Sequence, residues 1–174
     1  GTATAALGAG GSTQPGVNVA TNEIWDGSSW TEEGDLNQNR REVAGCGTST
    51  AALAVSGATG PPKHTEVEQW NGSAWTEIAD VNTAVANHGA VGTTTAALKF
   101  GGNNPNSEVE SWNGSAWTET TEINTARTSQ GHCGESNTDA MVFGGSDDPG
   151  VKTNTEIWDG SSWTEVGDIG TART

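Results

Sequence analysis

The chain predicts an all-β architecture built from one antiparallel unit repeated four times, and three observations support this. First, a tryptophan pair brackets a short turn in four places: Trp25-Asp-Gly-Ser-Ser-Trp30, Trp70-Asn-Gly-Ser-Ala-Trp75, Trp112-Asn-Gly-Ser-Ala-Trp117 and Trp158-Asp-Gly-Ser-Ser-Trp163. These pairs use all eight tryptophans, and the first member of each stands at 25, 70, 112 and 158, spacings of 45, 42 and 46 residues. Second, no stretch has helical periodicity, while each copy divides into short strand-like runs separated by glycine-rich turns. Third, a period of about 43 residues with four runs per period is the mark of stacked four-stranded sheets.

The elements follow in order. A short strand leads into each turn: Glu23-Ile-Trp25, Glu66-Val-Glu-Gln-Trp70, Glu108-Val-Glu-Ser-Trp112 and Glu156-Ile-Trp158. Asp-Gly or Asn-Gly then predicts a hairpin with a type I′ turn, which needs positive φ at both central residues. The return strand is Trp-Thr-Glu, with an apolar residue such as Ile78 or Val166 close behind. A small-residue strand comes next, predicted over 40–47, 85–92 and 127–134 and opening with Arg40, Val85 and Arg127. Its glycines suit a place where backbones crowd together. The fourth run is Thr-Ala-Ala-Leu at 4–7, 50–53 and 95–98, or Thr138-Asp-Ala-Met141. Three copies then close on a glycine pair, Gly10-Gly11, Gly101-Gly102 and Gly144-Gly145, and variable loops follow that hold all five prolines. The chain divides into repeats at approximately 1–37, 38–82, 83–124 and 125–170 with a tail at 171–174, within a single domain spanning 1–174.

Apolar residues make up only 32% of the chain, so the tryptophans must supply much of the core. Each buries about 150–250 Å² when covered. With 22 Asp and Glu against 7 Lys and Arg, the surface repels nucleic acid and anionic membranes. No apolar run reaches the ~18 residues of a membrane helix. No signal peptide is visible, and the start at Gly1 fits a processed product or a piece of something longer. Low lysine with abundant Thr, Ser, Asn and Gly is a composition found in secreted and virion-surface proteins.

The ordered combination Arg…Phe-Gly-Gly…Glu-x-Trp…Trp, clearest at Arg127, Phe143-Gly144-Gly145, Glu156 and Trp158/Trp163, resembles the kelch repeat. The copies also look like glycine- and tryptophan-rich kelch-like repeats of marine bacterial and phage proteins. Trp stands here where kelch repeats usually carry Tyr. The resemblance implies a β-propeller of about four four-stranded blades, with the Arg-led strand innermost and the Trp-Thr-Glu strand outermost. The first blade then lacks its own inner strand, and the tail ending at Arg173-Thr174 opens another. The expected alternatives are a closed four-blade ring, half of an eight-bladed dimer, or a fragment of a larger propeller.

The residues that could carry chemistry are few. Glu23, Glu68, Glu110 and Glu156 stand two before the first Trp of each pair and share its face. Arg40, Arg127 and Arg173 recur in register, which suggests Arg–Glu braces. The kelch resemblance instead implies arginines near the axis that contact a ligand, and His88, on an inner strand, is a further candidate contact. Cys46 and Cys133 align with Val91 and read as inert core thiols, while His64 and His132 read as surface or channel residues. No spacing matches a metal motif. The adjacent carboxylates in Ser146-Asp147-Asp148-Pro149-Gly150 are a weak Ca²⁺ candidate. The Asn-Gly-Ser sequons at Asn71 and Asn113 are accounted for by turn chemistry. Neither a sialidase Asp-box nor the tyrosine ligands of kelch-like copper oxidases are present, and no nucleophile–base pair recurs.

The expectation is a non-catalytic recognition module without cofactor, binding a glycan or protein ligand on a cell or virion surface or in the extracellular space. Its contact surface would be the loops 11–22, 57–65, 103–107 and 146–155. The alternative is a structural module, such as a homodimer, assembled through blade edges.

Overall fold

The structure is a computed structural model, and it describes residues 1–14, 16–104, 106–147 and 150–174. Among the described residues there is no helix, and the strands form small antiparallel sheets. Unit 1 contains β1 (Ala6–Ala9), then a small hairpin of β2 (Ser12–Thr13) and β3 (Val17–Asn18), then β4 (Asn22–Trp25) and β5 (Trp30–Glu33). Its sheet has three strands in the order β1-β4-β5. Unit 2 is β6 (Ala44–Thr48), β7 (Ala51–Val55), β8 (Val67–Trp70) and β9 (Trp75–Glu77). Unit 3 is β10 (Gly89–Gly92), β11 (Ala97–Phe100), β12 (Val109–Trp112) and β13 (Trp117–Glu119). Unit 4 is β14 (Gly131–Ser136), β15 (Asp139–Phe143), β16 (Thr155–Trp158) and β17 (Trp163–Val166). Units 2 to 4 are four-stranded meanders, each strand pairing with the next in sequence.

Register fixes the faces. Trp25 pairs with Trp30, Trp70 with Trp75, Trp112 with Trp117 and Trp158 with Trp163, with ring centroids 5.3–5.6 Å apart. The first indole of each pair donates its Nε1–H to a carbonyl of its own unit: Ala3, Ser49, Thr94 and Asn137. The turn between the tryptophans differs from the predicted type I′. Positive φ falls only on Gly27, Gly72, Gly114 and Gly160, the first central residue in each case. That is the φ pattern of a type II′ turn. The preceding Asp or Asn is not in the left-handed region. Its side-chain Oδ1 accepts the N–H groups two and three residues on, as Asp26 does from Ser28 and Ser29.

The small-residue strands also begin later than predicted. Arg40, Val85 and Arg127 lie four residues ahead of β6, β10 and β14. Between them a non-glycine residue adopts positive φ in every copy: Glu42, Asn87 and Ser129. β10 packs between β6 and β14, so the three glycine-rich strands stand side by side.

The core lies between units. Trp70, Trp75, Ala52 and Ala54 of unit 2 pack on Leu7, Ala9, Ile24 and Leu36 of unit 1. Trp112, Trp117, Ala90 and Ala97 of unit 3 pack on Leu53, Val55, Val67 and Val81 of unit 2. Trp158, Trp163, Ala140 and Val142 of unit 4 pack on Leu98, Phe100, Val109 and Ile123 of unit 3. The rule is constant: each tryptophan pair covers the apolar face of the preceding unit. Sandwiched this way, β7 and β11 are buried on nearly every residue of both faces. No closed ring is seen among the described residues.

Candidate functional site

Three places gather polar or unusual groups: the buried carboxylates between units, the loop rim, and the cavity beside the glycine-rich strands.

The carboxylates form a repeated anchor. Glu68 Oε2 accepts the backbone N–H and the side-chain Nδ2–H of Asn37, both at 2.7 Å, and Glu68 Oε1 accepts from Arg40 at 2.9 Å. Glu156 Oε2 accepts the same pair from Asn124 at 2.7 and 2.9 Å, and its Oε1 accepts from Arg127. Glu110 Oε2 is held by Asn82 at 2.7 and 2.9 Å. Here Val85 replaces the arginine, and the cation comes from β11 instead: Lys99 donates to Glu110 Oε1. Each asparagine also donates to the carbonyl of the second tryptophan, Trp75, Trp117 or Trp163. Asn37, Asn82 and Asn124 are the last residues of the preceding predicted repeats, so every anchor ties one unit to the next.

Arg40 and Arg127 are wholly buried. Further donors go to backbone carbonyls, from Arg40 Nη1 and Nη2 to Glu66 and Ala54, and from Arg127 Nε and Nη1 to Thr125, Gly144 and Asn154, while Arg40 Nε is buried without a partner. Neither guanidinium reaches solvent. Arg173 is exposed, as is Glu23, which no described asparagine or cation reaches. Lys99 and the three asparagines are what sequence reading missed. The signal for the asparagines was there, because Asn37 and Asn124 each stand three before an arginine.

The histidines and cysteines separate by burial. His88 is buried, and neither ring nitrogen has a hydrogen-bond partner within the protein. Burial, and next the charge of Lys99, push its pKa down to about 3, so the ring is neutral. His64 is not a surface residue as expected. It is buried inside its own loop, between Thr59 Oγ1 at 3.0 Å and Glu66 Oε2 at 3.1 Å. His132 stacks edge-on against Phe100. Both cysteines are free. Cys46 is half-buried, and burial pushes its thiol up to about 12, which disfavours the thiolate. Cys133 is exposed rather than in the core, because no unit covers that face of unit 4. A cavity of about 450 Å³ lies against β6, β10 and β14 and is lined mainly by Gly45, Gly47, Ala90, Gly92, Gly134 and His132. Glycine and alanine give it few polar side chains. Among the described residues no group of three His, Cys, Asp or Glu could hold a metal.

The loops between second and third strands are linked into one rim. Asn18 Nδ2 donates to the Thr59 carbonyl at 2.8 Å, Lys63 Nζ to the Asn103 carbonyl at 3.3 Å, and Thr128 Oγ1 to Asn103 Oδ1 at 3.2 Å. Arg41 exchanges two backbone bonds with Ala58 and reaches Asn18 Oδ1. In the fourth loop Lys152 pairs with Asp147. Asp148, the other half of the suggested Ca²⁺ site, lies outside the described residues, as do Pro15, Pro105 and Pro149. Of the seven cations in the chain, Arg40, Lys99 and Arg127 are consumed in anchors and Arg173 stands in the tail. Arg41, Lys63 and Lys152 belong to this rim, Arg41 paired with Glu42 and Lys152 with Asp147.

No protein-family model matches the chain, and no curated protein matches it.

Proposed function

We propose that the units are blades of a kelch-type β-propeller, closed by four blades alone or by pairing two chains, and that the protein is a non-catalytic recognition module whose contact surface is the loop rim. The observation that carries this reading is the placement of Arg41, Lys63 and Lys152. In a chain with net charge −15, Arg41 lies against the side-chain amide of Asn18, Lys63 against the backbone carbonyl of Asn103, and Lys152 against Asp147 in the fourth loop. Cations with planar amides suit the hydroxyl and carboxylate groups of an acidic glycan, or an acidic protein surface. Loops of unequal length on a repeated scaffold are where repeat proteins carry their specificity. An extracellular or virion-surface setting agrees with that ligand class and with the composition.

The test is a glycan array that includes uronic, sulfated and sialylated saccharides, probed with the wild-type chain and with Arg41→Ala/Lys63→Ala/Lys152→Ala. Binding that the triple variant loses while its melting temperature holds supports the reading. Binding that survives the triple variant, or an array with no bound glycan and no acidic protein ligand, overturns it.

A further inference from the structure

We propose that the open faces of unit 1 and unit 4 bind each other between two copies of this chain, head to tail, with Glu23 of one copy held by Arg173 of the next. The argument rests on the interface that the chain already contains three times. Each internal interface has a giving half, the apolar face of unit n with its trailing lead segment. It also has a receiving half, the tryptophan pair of unit n+1 with its carboxylate. Unit 1 displays a receiving half with nothing on it. Glu23 sits in the register of Glu68, Glu110 and Glu156, opposite Gly8 and Glu32 as they are opposite Ala54 and Glu77, Lys99 and Glu119, and Val142 and Glu165. Trp30 is 52% exposed, whereas Trp75, Trp117 and Trp163 are each 6% exposed.

Unit 4 displays the matching giving half. Ile157 and Val166 are exposed large apolar residues on its outer face. Cys133 is also open there, while its counterpart Val91 is covered by unit 4. The tail is already arranged as an internal lead segment. Arg173 O accepts from Gly145 N–H as Arg127 O does from Gly102 N–H. Arg173 N–H donates to the Lys152 carbonyl as Arg127 N–H does to that of Asn106. Arg173 Nε donates to the Thr171 carbonyl as Arg127 Nε does to that of Thr125. The Nε end of the guanidinium is held as in Arg127; the carboxylate and the two carbonyls that Arg127 Nη1 reaches on its following unit are what a second copy would supply.

One element differs. Gly170 stands where Asn37, Asn82 and Asn124 stand, so the junction between copies lacks the side-chain half of the anchor. The backbone N–H remains, and a Cβ built on Gly170 meets nothing within 4 Å. The contact is heterologous, so it closes into a ring if the rotation allows and otherwise continues as a filament.

Sedimentation velocity over the micromolar range tests the proposal. The wild-type chain should associate with rising concentration and less so in high salt. Glu23→Arg and Arg173→Glu should each weaken association by about ten-fold or more. Both residues are exposed, so each variant should keep its fold, which circular dichroism checks. Mixing the two variants in equal amounts should restore association, because their altered ends are complementary. Gly170→Asn should tighten it. A wild type that stays monomeric throughout overturns the proposal. So does association unaffected by both single variants. A monomer that loses stability with either single variant and regains it only with both in one chain shows closure within the chain, and also overturns it.

Discussion

Lys99 Nζ lies 2.7 Å from Glu110 Oε1, directly across the strand pair, in the one unit whose lead segment has valine in place of arginine. The positions matching Lys99 are Ala54 in unit 2 and Val142 in unit 4, small enough to leave room for Arg40 and Arg127. The charge that neutralises the carboxylate is therefore kept while its place in the chain moves.

The first prediction follows from that exchange. Lys99→Ala leaves a buried carboxylate without its cation and should destabilise the fold by about 3–5 kcal/mol. Lys99→Ala/Val85→Arg recreates the arrangement of units 2 and 4 and should recover most of the loss. Urea denaturation of the wild type and both variants measures it. A double variant no better than the single would show that the two positions are not interchangeable.

A similar exchange occurs between glycine and aromatic residues. Gly89 pairs with Phe100 and Gly131 with Phe143, but Ala44 pairs with Val55. A Cβ on Gly89 would run into the ring of Phe100, which is fully buried. Gly89→Ala should therefore cost about 1–3 kcal/mol through overpacking. Gly89→Ala/Phe100→Val copies the pair of unit 2 and should be more stable than the single variant, as read by thermal melting.

The tryptophans offer a matched comparison. Trp75→Ala empties a packed site between units 1 and 2 and should cost about 3–5 kcal/mol. Trp30→Ala, measured on dilute protein, should cost under ~1 kcal/mol because its ring is half open to water. Equal losses at both positions would mean that Trp30 is covered even in the isolated chain.

Acid stability depends on two of the four hairpin turns. Asp26 and Asp159 are lowered from 3.8 to about 2, chiefly by the N–H groups of Ser29 and Ser162 and then by the hydroxyls of Ser28 and Ser161. The folded value lies below the unfolded one, so ionisation favours the folded state. That contribution is fully present above about pH 4 and is lost as the pH falls through about 2. Asn71 and Asn113 accept the same bonds without titrating. Asp26→Asn/Asp159→Asn should therefore melt with a shallower fall than wild type between about pH 4 and pH 2, and the two curves should run parallel above that range.

Much of the architecture was legible because it is local and repeated. The tryptophan pairs marked their hairpins, and Glu two residues earlier marked the face they share. The exact turn was not, since Asp-Gly serves a I′ turn directly but here acts as a side-chain cap ahead of a II′-type glycine. The asparagine anchors were hidden by distance: Asn37 and Glu68 lie 31 residues apart. Val85 looked like a broken pattern because its substitute cation sits on the following strand. His64, beside two prolines, carried the marks of an open loop, and only the folded loop shows it turned inward.

The direction of the anchor has a consequence for how the chain is made. In each one the asparagine precedes its glutamate by 28 to 32 residues, and never follows it. During synthesis from the N-terminus, the half that grips has therefore already emerged when the half to be gripped leaves the ribosome. Each new sheet meets a finished docking surface behind it and need not wait for sequence still to come. Growth by addition onto a standing template keeps the searched loops short. It also means that a stalled or truncated chain should end in complete units rather than in a collapsed whole.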